Sequence, residues 1–154
     1  MKSALFDPTK GNPSLQEALV LANEIYSLHE AGKDYSGNLK RLGRIAGRPI
    51  GTYTVHAAFG SIEPSTFARK QLIDWNALPN DLLHEEMLEL VEHICNGSGD
   101  EFQSEYWLEC LRINTADDRI SDLLFCPGEY FNDGNDSRVM SPAEILNTAL
   151  EAKR

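Results

Sequence analysis

The sequence has few cysteines and no long apolar run. Its 154 residues include three cysteines, Cys95, Cys110 and Cys126, and no two of them are spaced as a C-x-x-C pair. This arrangement argues against a disulfide framework or a zinc site and favours reduced thiols. No run of 18 apolar residues occurs, so a membrane-spanning helix is not expected. Because the first eight residues also lack the apolar core of a signal peptide, we expect a cytoplasmic protein without a membrane partner.

The common catalytic motifs are missing as well. The sequence contains no G-x-S-x-G motif, no phosphate-binding loop and no dinucleotide fingerprint. His84 begins a segment like the H-E-x-x-H motif of zinc proteases, but Leu88 stands where the second histidine is needed. Glu89 and His93 could share a metal, although the apolar residues after His93 favour a partly buried histidine. We therefore predict a non-enzymatic protein without cofactor or metal; the alternative is a small metal-dependent or hydrolytic enzyme that uses His84, His93 and nearby glutamates.

Apolar residues recur at helical spacing along most of the chain. Behind a predicted Ser14–Glu17 capping box, they recur every three or four residues up to Gly32. Further helices are predicted over about 34–46, 64–73, 81–95, 100–113 and 120–126, and a last helix is predicted from 142 onward, behind a second capping box formed by Ser141 and Glu144. Residues 48–60 are ambiguous between a strand and a short helix, whereas 128–139 are rich in Asn, Asp and Gly and predict a loop. The length is typical of one domain, so the prediction is an all-α, single-domain helical bundle of six to eight helices over residues 1–154.

Charge is distributed unevenly along the chain. Residues 1–70 contain nine Lys and Arg against six Asp and Glu, whereas residues 71–152 contain three Lys and Arg against eighteen Asp and Glu. The net charge is −10. This charge argues against nucleic acid as a partner, because binding to nucleic acid depends largely on cations at the phosphates.

The basic residues of the first part include a stripe at helical spacing. The stripe consists of Lys40, Arg41, Arg44 and Arg48. We interpret it as a solvated helix face that balances acidic neighbours such as Glu24 and Glu30. The alternative is an adaptor or regulatory binding module, such as a transcriptional protein that binds DNA through this stripe.

The helix predicted over 81–95 has an apolar side and an acidic side. At 100° per residue, the apolar side is formed by Leu83, Met87, Leu90 and Ile94. The opposite side carries Asp81, Glu85, Glu89 and Glu92. Like charges four residues apart destabilise a helix, and no Lys or Arg follows in the sequence until Arg112. The pattern indicates either a solvated surface or a surface that attracts a basic partner.

We predict that this acidic side binds a protein. Tyr130 and Phe131 border a polar loop and are expected to be exposed, and exposed aromatic residues beside charges are frequent hot spots of interfaces. The predicted partner-binding residues are Asp81, Glu85, Glu89, Glu92, Asp100, Glu101, Glu105, Tyr130 and Phe131.

Two segments near the C-terminus resemble a class of bacterial proteins. They read ISDLLFCPGEYF over 120–131 and MSPAEIL over 140–146. Together they are similar to the tails of small acidic immunity proteins from polymorphic and contact-dependent growth-inhibition toxin systems. The resemblance covers about 30 of the 154 residues. It implies a cytosolic, non-enzymatic inhibitor that binds a cognate toxin domain, commonly a basic nuclease, and blocks its active site or substrate path; no site residue is carried over from it.

Overall fold

A computed structural model describes residues 3–152. Within these residues the chain forms ten α-helices and no β-strand. The helices are α1 (Ser3–Phe6), α2 (Leu15–Glu30), α3 (Ser36–Ala46), α4 (Thr52–Ala58), α5 (Pro64–Gln71), α6 (His84–Asn96), α7 (Glu101–Thr115), α8 (Ile120–Phe125), α9 (Pro127–Tyr130) and α10 (Pro142–Glu151). The all-α class is confirmed. The predicted count of six to eight is too low, because α1 and α9 are single turns and too short to produce a periodic pattern.

The ambiguous segment 48–60 forms a helix. Gly51 has an extended backbone, and α4 follows it from Thr52 to Ala58. Val55 and Ala58 lie three residues apart and are both buried, so the segment places one helical side into the core. The strand alternative is therefore wrong for this segment.

Tertiary contacts divide the chain into two compact units. The N-terminal unit comprises residues 7–75. In this unit α2 packs against α3 and α5. Its core contains five almost completely buried apolar side chains: Leu21, Ile25, Leu42, Val55 and Phe67.

The C-terminal unit comprises residues 76–152 together with α1. The helix α7 contacts α1, α6, α8 and α10, as expected for a helix that is apolar on most sides. Trp107 on α7 is completely buried, and its indole N–H donates to the carbonyls of Leu5 (3.2 Å) and Phe6 (3.1 Å). The side chain of Gln103 also donates to Phe6 O, at 3.2 Å. These bonds attach the N-terminal turn to the core of the unit.

Two predicted capping boxes have different outcomes. Ser141 and Glu144 form the predicted reciprocal bonds, and Ser141 has the extended backbone that directs its hydroxyl at the helix amides. Ser14 makes no side-chain cap bond, because its backbone is already helical; instead its amide donates to Asn12 Oδ1 at 2.8 Å. The predicted capping box at Ser14 is wrong, although the helix behind it is correctly placed.

The acidic helix α6 begins at His84, three residues later than predicted. The segment before it is held by Asn114 of α7, whose side-chain amide donates to Pro79 O (2.7 Å) and accepts from the Leu82 amide (3.0 Å). These bonds hold residues 79–82 to α7, and Leu83 has an extended backbone, so the helix does not extend back through this segment. Asp81 therefore lies before the helix, whose N-cap is Leu83.

We expect Asn114→Ala to lower the free energy of unfolding by about 1–3 kcal/mol, because it leaves partly buried polar groups of residues 79–82 without partners. Urea unfolding followed by circular dichroism measures the change. Asn147→Ala is the matched control, since Asn147 is an exposed residue of α10 and alanine has the higher helix propensity. Equal stability of the two variants would show that Asn114 does not hold the segment.

Two predictions concern the whole chain, namely a single domain and the absence of a membrane-spanning helix. One domain over residues 1–154 stays a prediction, and its ends, residues 1–2 and 153–154, lie outside the described residues. Across residues 3–152, no helix has both the length and the apolar composition needed to cross a bilayer.

Candidate protein-binding surface

Two predicted binding residues stand exposed on the same side of α6. Glu85 and Glu92 are seven residues apart, which corresponds to two turns and about 10 Å along the axis. The opposite side of α6 is buried through Met87, Leu90 and Ile94, together with Val91. Neither Glu85 nor Glu92 forms an ion pair within residues 3–152. These two carboxylates therefore present uncompensated charge to solvent.

The other two acids of the predicted stripe have different surroundings. Glu89 is half-buried and has an interaction partner. Asp81 is exposed but lies in the segment before α6, so the helical periodicity that placed it on the same side as Glu85 does not apply to it. Of the four acids predicted for the acidic side, α6 thus carries three, and two of these are exposed.

The acids at the start of α7 have mixed roles. Asp100 is the N-cap of α7: its carboxylate accepts from the Gln103 amide at 2.9 Å, and the Gln103 side chain accepts from the Asp100 amide at 3.1 Å. Glu101 is exposed in the first turn, where the helix dipole favours an anion. Glu105 is half-buried and has an interaction partner. Since α6 and α7 pack against each other, these acids belong to neighbouring helices.

Within the described part of the C-terminal unit, the arginines pair with other acids. Arg112 pairs with Glu109 (2.9 Å) and Asp118 (3.3 Å). Two further pairs are Arg119 with Asp122, at 3.4 Å, and Arg138 with Asp133. None of these acids is a predicted binding residue, so the arginines do not neutralise Glu85, Glu92 or Glu101.

An exposed apolar side chain stands at the start of the acidic helix. Leu83 is the N-cap of α6 and is 56% exposed, whereas the periodicity placed it on the buried side. That expectation is wrong because residues 79–82 are held out of the helix, so the helical phase does not extend back to Leu83. Leu83 lies two residues before Glu85, so an exposed apolar side chain stands beside the acidic side of α6, which the sequence pattern does not predict.

Tyr130 is held inside its own unit. Its hydroxyl donates to the buried Asp117 carboxylate at 2.8 Å, and the Arg119 guanidinium lies over its ring at 5.3 Å from the centroid. Burial and the neighbouring Asp117 carboxylate raise the pKa of Tyr130 to about 12. The ring is half-buried, so the expectation that Tyr130 is exposed is wrong: its hydroxyl serves a hydrogen bond that joins residues 13 positions apart.

Phe131, in contrast, is exposed. It is 38% exposed, its ring packs edge-on against Tyr130, and the Arg138 guanidinium lies 4.2 Å from its centroid. Two more apolar residues of this region are exposed, Phe125 at 60% and Val139 at 93%. The sequence does not predict their exposure, because neither residue belongs to a charged or periodic pattern.

The segment that carries Phe131 closes tightly on Gly128. The Gly128 amide donates to Asp136 Oδ1 at 2.9 Å, and the Gly128 carbonyl accepts from the amides of Asp133 (3.0 Å) and Gly134 (3.2 Å). The predicted loop over 128–139 is present from Phe131 onward, since α9 occupies its first residues. These bonds hold Phe131 in a defined position.

Within residues 3–152, the histidines considered for catalysis do not form a metal-binding group with the acids. Among residues 3–152, no three His, Cys, Asp or Glu side chains lie close enough to share a metal ion. His93 is half-buried, and its ring packs against Phe6 (5.4 Å between centroids) and Trp107 (5.3 Å). The contacts of His93 are those of a packing residue at the edge of the core.

Comparison with known proteins identifies no relative. No protein-family model, curated protein or solved structure matches this chain.

Proposed function

We propose that this chain is a non-enzymatic immunity protein, an inhibitor that acts in the cytoplasm by binding a cognate basic toxin domain. The binding surface is the exposed acidic side of α6 together with the start of α7. The observation that carries the proposal is the pair Glu85 and Glu92, which are exposed on one side of α6 and have no ion pair within residues 3–152. A basic nuclease is the class of toxin best matched to this surface.

The charge of the C-terminal unit supports this proposal. Residues 1–6 and 76–154 contain seventeen Asp and Glu against six Lys and Arg. A concentrated negative potential accelerates the encounter with a cationic protein by roughly 10 to 1,000-fold and opposes the approach of nucleic acid. The acids thus account for the rate of binding and the choice of partner.

The affinity needs apolar contacts in addition. Neutralising a lethal protein calls for a dissociation constant of nanomolar order, which corresponds to about −12 kcal/mol. Charges at the rim of an interface contribute little to such a value, whereas buried apolar anchors contribute most of it. Leu83 and Phe131 are exposed apolar residues of this unit that can serve as anchors. The Tyr130 ring packs edge-on against Phe131, and the hydrogen bond from the Tyr130 hydroxyl to Asp117 fixes the position of that ring.

The test is a charge reversal on α6. The proposal predicts that the open reading frame beside this gene encodes the toxin domain, and this domain is produced in a bacterial host together with Glu85→Lys/Glu92→Lys. We expect the double variant to associate at least about tenfold more slowly than the wild type at low salt and to protect growth poorly, because it removes the steering charge. Stopped-flow association and growth of the host measure the two effects.

The matched control is Glu30→Lys/Glu151→Lys, which changes the net charge by the same amount at exposed helix residues that are not part of α6 or the start of α7. We expect near wild-type association and protection from it. If both double variants slow association equally, only the overall charge matters and the surface is merely solvated. If the wild-type chain neither binds nor protects against the neighbouring toxin domain, the proposed function is wrong.

A further inference from the structure

A groove of about 690 Å³ lies in the N-terminal unit beside α3. Its apolar lining comes from Leu39, Pro49 and Ile50, and its volume falls in the range of small-molecule sites. Three cations also line it, Lys40, Arg44 and Arg48, and none of the lining residues is acidic. The groove therefore combines an apolar floor with charge of one sign.

The backbone around Gly43 shapes this groove. Gly43 is buried in α3, and a β-carbon there would lie 2.9 Å from the carbonyl oxygen of Arg48. Gly47 ends the helix in the left-handed conformation, with a φ of 76°. The chain can thus fold back onto α3 after Gly47, which brings Pro49 and Ile50 beside Leu39.

The cations of the groove are not balanced by acids. Arg41, the remaining member of the basic stripe, pairs with Glu17 at 2.7 Å. Lys40 and Arg44 are exposed and form no ion pair within residues 3–152. Arg48 donates to two neutral acceptors, Ile73 O (3.2 Å) and Gln71 Oε1 (3.4 Å), which position its guanidinium and leave its charge uncompensated.

The interpretation of the stripe as a face that balances acidic neighbours thus applies to one residue in four. The Glu24 carboxylate accepts a hydrogen bond from the side-chain amide of Asn38 at 2.8 Å and from no cation of the stripe. The groove thus combines an apolar lining with three cations that no neighbouring acid compensates. These features are expected of a site for an anion that carries an apolar body.

We propose that this groove binds a phosphate monoester with an aryl or alkyl body. Near pH 7 a phosphate monoester carries a charge of about −2 and three acceptor oxygens. The ammonium of Lys40 and the guanidinium groups of Arg44 and Arg48 supply donors for these oxygens, and arginine suits phosphate geometry in particular. The body lies on Leu39, Pro49 and Ile50. Binding involves no covalent step.

The experiment uses the full-length ¹⁵N-labelled chain and three probes: 2-naphthyl phosphate, 2-naphthol and inorganic phosphate. We expect 2-naphthyl phosphate to bind saturably with amide shifts over residues 36–52. The other two probes each lack one half of the ligand, and we expect them to bind at least about tenfold more weakly. The double variant Lys40→Glu/Arg44→Glu should lower the affinity for 2-naphthyl phosphate by tenfold or more. Its circular dichroism spectrum should be unchanged, since both residues are exposed.

The matched control is Lys10→Glu/Lys33→Glu, which makes the same charge change at exposed residues outside the groove. Unchanged affinity in this control, with loss in the groove variant, supports the proposal. Four results would each overturn the proposal. These are 2-naphthol binding as tightly as 2-naphthyl phosphate, an equal loss of affinity in both double variants, amide shifts located outside residues 36–52, and no saturable binding of 2-naphthyl phosphate. Neutralisation of a toxin by the C-terminal unit is measured in a separate experiment. The failure of one proposal can therefore be distinguished from the failure of the other.

Discussion

Replacement of Trp107 by alanine should remove about 3–5 kcal/mol from the free energy of unfolding. The side chain is completely buried, so the substitution leaves a large cavity lined by Phe6 and His93, whose rings lie 5.5 and 5.3 Å from the indole. It also removes the N–H that donates to the carbonyls of Leu5 and Phe6. Urea unfolding monitored by circular dichroism measures the loss, and amide exchange in α1 reports release of the N-terminal turn.

Two companion variants separate packing from hydrogen bonding. Trp107→Phe keeps a ring and removes only the donor, so we expect a smaller loss of about 1–3 kcal/mol, since Gln103 still donates to Phe6 O. Gly99→Ala adds a methyl group that clashes with the same indole, because the new β-carbon would lie 2.5 Å from the ring. It should destabilise the protein by about 1–3 kcal/mol through overpacking. A wild-type urea midpoint for Trp107→Ala would contradict this view of the core.

Gly128→Ala should open the segment that presents Phe131. A β-carbon on Gly128 would lie 2.6 Å from the Asn135 amide nitrogen and 2.7 Å from Asp136 Oδ1, and neither the backbone nor this bonded carboxylate can yield cheaply. We expect a loss of about 1–3 kcal/mol and faster proteolysis within residues 132–137, because the bonds that close the segment must break. Urea unfolding and limited proteolysis measure these effects.

The control for this substitution is Gly37→Ala. Gly37 lies in α3, its backbone has no positive φ, and nothing lies within 4 Å of its β-carbon position. Alanine there should be neutral or stabilise by up to about 1 kcal/mol. If Gly128→Ala were equally neutral in stability and proteolysis, the close approach of residues 134–136 would have no energetic role.

The two proposed surfaces have opposite charge and different chemistry. The acidic side of α6 offers Glu85 and Glu92 to a cationic protein, with apolar anchors at Leu83 and Phe131. The groove beside α3 offers an apolar floor and three cations to a small anion. Each surface lies within one compact unit, so each can be tested by substitutions that leave the other unit unchanged.

The longer helices were predictable from the sequence, and particular details of the site were not. The spacing of Met87, Leu90 and Ile94 predicts α6 and its buried side, because a helix of several turns must bury an apolar stripe. The start of α6 depends on Asn114, 32 residues after Leu82, and local periodicity cannot contain that information. The error placed Asp81 on the helix and Leu83 in the core.

The sequence by itself determined the all-α class, the positions of the long helices, the acidic excess after residue 71 and the exposure of Glu85 and Glu92, because composition and helical periodicity are local properties of the chain. Only the tertiary structure decided that Tyr130 bonds to Asp117, that Arg41 pairs with Glu17 while Lys40 and Arg44 do not pair, and that Leu83 is exposed. These outcomes depend on which residues distant in sequence meet in space, and a local sequence pattern does not contain that information.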